Sequence, residues 1–218
     1  MRRFVSLRRN GALTEMPTAW LFLGMLAPAA AFLCAIRFQP WVSPAELVGG
    51  GFVASVESLL WIGTASICLF TAAMLYGARG NSACTRFLLA AGLATLWLGL
   101  DDAFALHRDV LPVLGIPAAL APAARVAVGA LYLLAAWRAI VANRPSLLIA
   151  AGLFLVAAVN AERIAPAAPD LAEAGLTFLA VAFWAGFHVL AAARIVEELA
   201  TGRITAVALS SARIVRRA

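Results

Sequence analysis

Six stretches of this chain, at 18–38, 52–78, 87–106, 118–142, 147–165 and 172–196, are apolar for long enough to cross a bilayer as helices. A span needs about 20 mostly apolar residues. Backbone N–H and C=O groups in hydrocarbon must be bonded within the segment itself, which makes helix the available form. Turn-forming residues mark the gaps: Pro40 and Pro44, Gly77 and Gly80, Pro112 and Pro117, Pro145, then Pro166 and Pro169. Composition agrees, with 64% apolar and 13% charged residues, against about half and about a quarter in soluble domains. The sequence therefore predicts an all-α integral membrane bundle of about six transmembrane helices. It leaves no room for a separate soluble catalytic domain. The divisions expected are a basic arm at 1–17, a transmembrane domain at 18–196 and a basic tail at 197–218. In the tail, Ile204, Val207, Ala208, Ile214 and Val215 alternate with Arg203, Arg213, Arg216 and Arg217 in a spacing that fits an amphipathic helix on the membrane surface. A disordered basic tail is the alternative.

Every cationic chain residue is arginine, 17 in all, with a net charge of +6. In a soluble protein that excess would point to nucleic acid. Here the arginines lie between apolar runs, where they orient a chain in a bilayer, so the lipid bilayer is the expected partner and nucleic acid is not. With both termini inside, thirteen of the 17 arginines fall on the cytoplasmic side. Arg37, Arg108, Arg125 and Arg163 are the remainder. That asymmetry follows the positive-inside rule and predicts a multi-pass protein of the bacterial inner membrane, N-in and C-in. The first run, behind Arg2, Arg3, Arg8 and Arg9, is too long for the apolar core of a signal peptide and is expected to remain as a span kinked at Pro28. Ala31, Phe32 and Leu33 before Cys34 do not form a lipobox, because a bulky leucine stands where a small residue is needed.

Acidic residues segregate the other way. Glu15, Glu197 and Glu198 lie inside; Glu46, Glu57, Asp101, Asp102, Asp109, Glu162, Asp170 and Glu173 lie at or near the outer face. Acidic side chains contribute little to topology, so topology does not explain the pattern. Glu57 is about 9 Å into its span at 1.5 Å per residue. Asp101, Asp102 and His107 close the third run, Asn160, Glu162 and Arg163 close the fifth, and Glu173 opens the sixth. Ionisable groups at membrane depth are costly unless paired or hydrated, and generally face a bundle interior or a cavity. Their convergence is the functional signal of the sequence.

Three chemistries fit such a set. Glu57, Asp101, Asp102, His107 and Glu173 are candidate ligands for a divalent metal ion, the one cofactor the residues suggest. In an enzyme, His107, Asp102 and Glu162 are the candidate catalytic groups, with His107 and one carboxylate holding metal or acting as base and another carboxylate as general acid. The same groups could relay protons or bind a transported cation, or Arg108 and Arg163 could neutralise them as ion pairs that fix packing. The spacing does not favour chelation: Asp102 and His107 are about 140° apart around a helix, and the chain has no HExxH and no ExxH.

Other residues read as packing. His188, about 22 Å along its helix from Glu173, is expected to be a satisfied structural histidine or an interhelical hydrogen-bond donor beside Trp184 and Phe187. Gly92 and Gly99, and Ala150, Ala157, Ala158 and Ala161, are small-residue faces for close helix approach. Cys34, Cys68 and Cys84 form no CxxC pair and are expected to be free. Trp20 and Trp41 suit the membrane interface.

The segment Leu98-Gly99-Leu100-Asp101-Asp102-Ala103-Phe104-Ala105-Leu106-His107 resembles a pattern of uncharacterised bacterial multi-helix membrane proteins, in which Asp-Asp-x-Phe-x-x-His-Glu ends one helix and an acidic pair followed by Gly and Lys opens a later one. Glu173, Gly175 and the run to Trp184 resemble that second segment. Arg108 stands here in the Glu position and Thr177 in the Lys position. An Asp and a His at the end of a spanning helix are also similar to the membrane hydrolase superfamily of the alkaline ceramidases, which implies a helical bundle holding zinc through three histidines; two of those have no counterpart here.

These features give three expectations of different class. The first is an inner-membrane protein whose outward-facing acidic and histidine site binds a cation or a lipid-like or other small molecule, with hydrolysis as its enzymatic version. The second is a non-catalytic subunit or assembly factor, in contact with another membrane protein or with copies of itself. The third is a small transporter.

Overall fold

The turn between the first two helices shows how the sequence sets each boundary. The Gly80 N–H closes the first helix on Tyr76 O at 2.7 Å with φ at 67°, a left-handed conformation that glycine adopts without Cβ strain. Two residues later Ser82 opens the next helix: its hydroxyl accepts the Thr85 N–H at 3.1 Å. Thr85 Oγ1 donates in turn to Gly80 O, and the Ser82 hydroxyl donates to Thr85 Oγ1 at 2.7 Å. A three-residue connection is thereby held by its own hydrogen bonds and sets the flanking helices side by side and antiparallel.

In the computed structural model, residues 23–24, 26–27, 34, 52–104, 106, 110, 113, 115, 121–143, 145–166 and 168–200 are described. They form α1 (Phe52–Arg79), α2 (Ala83–Phe104), α3 (Ala121–Ala142), α4 (Ser146–Val159), α5 (Ala161–Ile164) and α6 (Pro169–Ala200). No strand occurs among the described residues. Three helices are long and apolar enough to cross a membrane, over Val53–Arg79, Ala83–Phe104 and Pro169–Ala200, with shorter apolar helices at Val126–Ala142 and Ser146–Val159. The basic arm, most of the first apolar run and the tail beyond 200 lie outside the described residues. α6 itself continues through Ala200, past the boundary at 196 that hydropathy suggests.

The run at 147–165 is not one helix. α4 ends at Val159 and a single turn, α5, follows. Asn160 is the cause. Its side-chain Nδ2 donates back to Val156 O at 2.7 Å, and its own N–H bonds Ala157 O in a tightened last turn. A short polar side chain that bonds its own backbone offers the chain a way out of the helix. The 14 residues of α4 span only about 21 Å.

α1 and α2 pack at backbone distance. A Cβ on Gly99 would stand 2.5 Å from Trp61 Cβ, and one on Gly92 would stand 2.7 Å from the Leu69 side chain. The two small residues let the helices approach, as expected of spans that gain little from hydrophobic burial against lipid. α6 completes the core, running parallel to α1: Phe178 packs by Val53, and the Trp184 ring lies 6.0 Å from that of Trp61. At the other end, the charges of Arg79 and Glu198 both act at Cys84, placing the end of α6 beside the α1–α2 turn. Cys68, Leu75, Leu88, Phe183 and Phe187 fill the middle, with Tyr132 and Ile140 from α3 and Leu147 from α4. Leu59, Phe70, Leu134 and Val156 are exposed, an arrangement suited to a lipid solvent and not to water.

Candidate functional site

Two antiparallel pairings, Trp61 with Gly99 and Leu69 with Gly92, fix the register of α1 against α2. Carried one turn further, that register sets Glu57 level with the last turn of α2, where Asp101, Asp102 and Phe104 lie. Rotation then separates the two aspartates. Asp101 is turned about 200° from Gly99 around α2, whereas Asp102 returns to within about 60° of the face that meets α1. Asp101 is buried on the far side of its helix. Asp102 is exposed at the rim, near enough for its charge to act on Glu57.

Glu57 is 7% exposed, and its Oε1 is buried without a hydrogen-bond partner among the described residues. A polar atom taken out of water and left unbonded costs about 1–3 kcal/mol, more when charged. Below Glu57, one turn along the same face, is Trp61. This end of the bundle therefore carries one deep carboxyl, Glu57, and one rim carboxyl, Asp102, while the Trp61 ring lies 6.0 Å from that of Trp184.

Of the other residues expected to join this site, Glu162 and Glu173 are both exposed. For Glu162 the reason is the break at Asn160, which puts it on a separate turn beyond the end of α4. Glu173, in the first turns of α6, does not reach inward at the level of Glu57. Among the described residues, no three of His, Cys, Asp and Glu come together in a way that could hold a metal ion. The set Glu57, Asp101, Asp102 and Glu173 is therefore not a metal centre by itself. His107 lies outside the described residues. Arg163 is exposed.

A second polar assembly sits deeper. His188, fully buried, bonds Trp184 O through Nδ1 at 2.8 Å. A carbonyl only accepts, so Nδ1 carries the proton, and Nε2 is left to accept from the Tyr132 hydroxyl at 2.7 Å. Trp184 Nε1 donates to Thr95 Oγ1 at 3.0 Å, which brings α2, α3 and α6 into one network. Rings pack around it, with Trp184 4.7 Å and Phe187 5.0 Å from the His188 ring. His188 is thus a satisfied structural histidine, as expected, but between helices it accepts from Tyr132 and its donor stays within α6. Tyr132 has no sequence signal beyond being one of two tyrosines in the chain.

Fold and burial together define a helical membrane-type bundle with a buried carboxyl close to one end. Residues 25–191 match the family model of a domain of unknown function, DUF8692, and the chain belongs to that family. No curated protein matches the chain, and no solved structure does.

Proposed function

We propose that this chain is a multi-pass protein of the bacterial cytoplasmic membrane, with six spans and both termini inside, that binds a cation from the outer side through Glu57 and Asp102. The carrying observation is the buried Glu57 Oε1 that accepts no hydrogen bond among the described residues. Each polar atom of the His188 imidazole has a partner; Arg194 Nε, the other buried side-chain atom without a hydrogen bond among the described residues, belongs to a side chain that makes a further contact. An oxygen left over at membrane depth, on a carboxyl with a second carboxylate beside it, is explained by a positively charged ligand that completes it. The rim position of Asp102 supplies an entrance, and the arginine asymmetry puts that entrance outside. His107, five residues beyond Asp102 in the chain, is the group that could turn binding into hydrolysis.

Calorimetric titration of the purified protein with monovalent, divalent and organic cations tests this reading. Saturable binding is expected for at least one class, weakened about 10- to 100-fold in Glu57→Gln, the loss anticipated for one charged hydrogen bond. Absence of binding by every class removes it. Reporter fusions at Arg79 and Arg144 test the topology; either residue on the outer side overturns the outward-facing site.

A further inference from the structure

We infer that the cation taken up at Glu57 is a proton, exchanged with water on the outer side; this rests on the cation-binding reading above and names its ligand. Size is the first ground. Oε1 of Glu57 is buried, and a metal ion or an organic ammonium group would have to open the packing to reach it. A proton adds no volume. A divalent metal also needs several ligands, six or more for calcium and magnesium. Among the described residues no three of His, Cys, Asp and Glu come together to supply them. A proton needs one oxygen.

Charge is the second ground. Two helices pack on α1, namely α2 and α6. From α2 the titratable groups near the level of Glu57 are Asp101, buried on the far side of its helix, and Asp102, exposed at the rim. α6 runs parallel to α1, with Phe178 beside Val53 and the Trp184 ring beside that of Trp61. The residues of α6 level with Glu57 therefore fall between Phe178 and Trp184. That stretch, Phe178-Leu179-Ala180-Val181-Ala182-Phe183-Trp184, carries no charge, and its one polar group, the Trp184 indole N–H, is committed to Thr95. Glu173, nearer the start of α6, is exposed. On α1 itself the next charge is Arg79, about 33 Å along the helix. An ionised Glu57 would thus be a buried negative charge that feels a second one at Asp102, with no counter-charge among the described residues. The neutral acid removes that cost. Asp102 acts here through its charge alone and keeps the partner it has. The step forms one O–H bond on the Glu57 carboxylate with a proton from the outer water and breaks it in reverse, with no electron transferred. Membrane-buried acids that load and release protons in this way are the elements of proton relays.

Infrared spectroscopy of the full-length protein in lipid nanodiscs tests this. At neutral pH a protonated-carboxyl C=O band is expected that is missing from Glu57→Gln and retained, at a shifted frequency, in Glu57→Asp. Raising the pH of the medium should convert the band into carboxylate signal, and acidification should restore it. Asp102→Asn takes away the facing charge, so the conversion should begin at a lower pH. Glu173→Gln removes an exposed acid and should leave the band as it is. Absence of any carboxyl band that depends on Glu57 overturns the inference. If calorimetry then finds another cation whose binding needs Glu57, the cation-binding reading stands without it; if no cation binds either, both fall.

Discussion

The two polar regions of this bundle lie roughly two to three helical turns apart and differ in how their atoms are satisfied. Around His188, imidazole, phenol, indole and threonine hydroxyl form a closed chain of hydrogen bonds across three helices. At Glu57 a carboxyl oxygen is just as deeply enclosed and accepts nothing among the described residues. Burial alone therefore does not mark function in a membrane bundle. The distinguishing quantity is the polar capacity left over once the protein has bonded what it can. A complete network adds stability and specifies which helices meet; an incomplete one costs stability and is kept where a ligand completes it.

The largest expected effect falls on the contact that both regions share. Gly99→Val places a branched side chain where even a Cβ would be 2.5 Å from Trp61. Separation of α1 from α2 should cost about 3 kcal/mol, at the upper end for overpacking, and should abolish cation binding by moving Asp102 off Glu57. Gly63→Val is the matched control, since nothing stands within 4 Å of a Cβ there, and it should shift stability by less than about 0.5 kcal/mol. Equilibrium unfolding in mixed micelles measures both. Equal losses in the two variants would mean that the glycine contact does not set the register.

Next comes the closed network. Tyr132→Phe removes the hydroxyl that donates to His188 Nε2 and leaves a fully buried nitrogen unbonded. A loss of about 1–2 kcal/mol is expected, with the cation affinity at Glu57 unchanged. A change in affinity without a change in stability would join the two regions into one site. Thr95→Val deletes the acceptor of the Trp184 indole and should cost less, about 0.6 kcal/mol, the average for an interhelical side-chain bond in a membrane bundle.

Much of the scaffold was legible in the sequence because lipid imposes a simple rule on it. Apolar runs locate α1, α2 and α6 to within a few residues, and Gly92 and Gly99 announce the close face between α1 and α2. The break in 147–165 was less visible, because hydropathy averages over Asn160 and cannot see that its amide turns back on Val156. For the candidate site, depth along each run puts Glu57 and Asp102 at one level, and the Trp61–Gly99 pairing sets the same level. Glu162 and Glu173 are exposed, since depth along a run does not give direction. Whether a residue faces a neighbour depends on helix rotation and on breaks such as the one at Asn160, and a single sequence carries neither. The same ambiguity hid the difference between Asp101 and Asp102, adjacent in the chain and directed to different faces of α2. Tyr132 was invisible because a lone tyrosine on an apolar helix has no period to betray its partner.

The smallest effect on stability is also the sharpest discriminator. Glu57→Gln keeps the size and shape of the side chain and removes the ionisable group. If the carboxyl were part of the framework, as His188 is, its loss would cost as much as breaking that network, about 2 kcal/mol or more. If instead it is held in readiness for a cation, the unliganded protein carries an uncompensated cost that glutamine relieves. The variant should then unfold within about 0.5 kcal/mol of the parent, or be slightly more stable, because a buried charge that lacks its partner contributes nothing favourable to the fold. Adding a saturating cation should reverse the order: the parent gains stability by mass action, about 2.7 kcal/mol at a hundred times Kd, and the variant gains almost none. Unfolding curves with and without the cation read both halves. A Glu57→Gln protein that is strongly destabilised without ligand would place Glu57 with His188, on the structural side of the comparison.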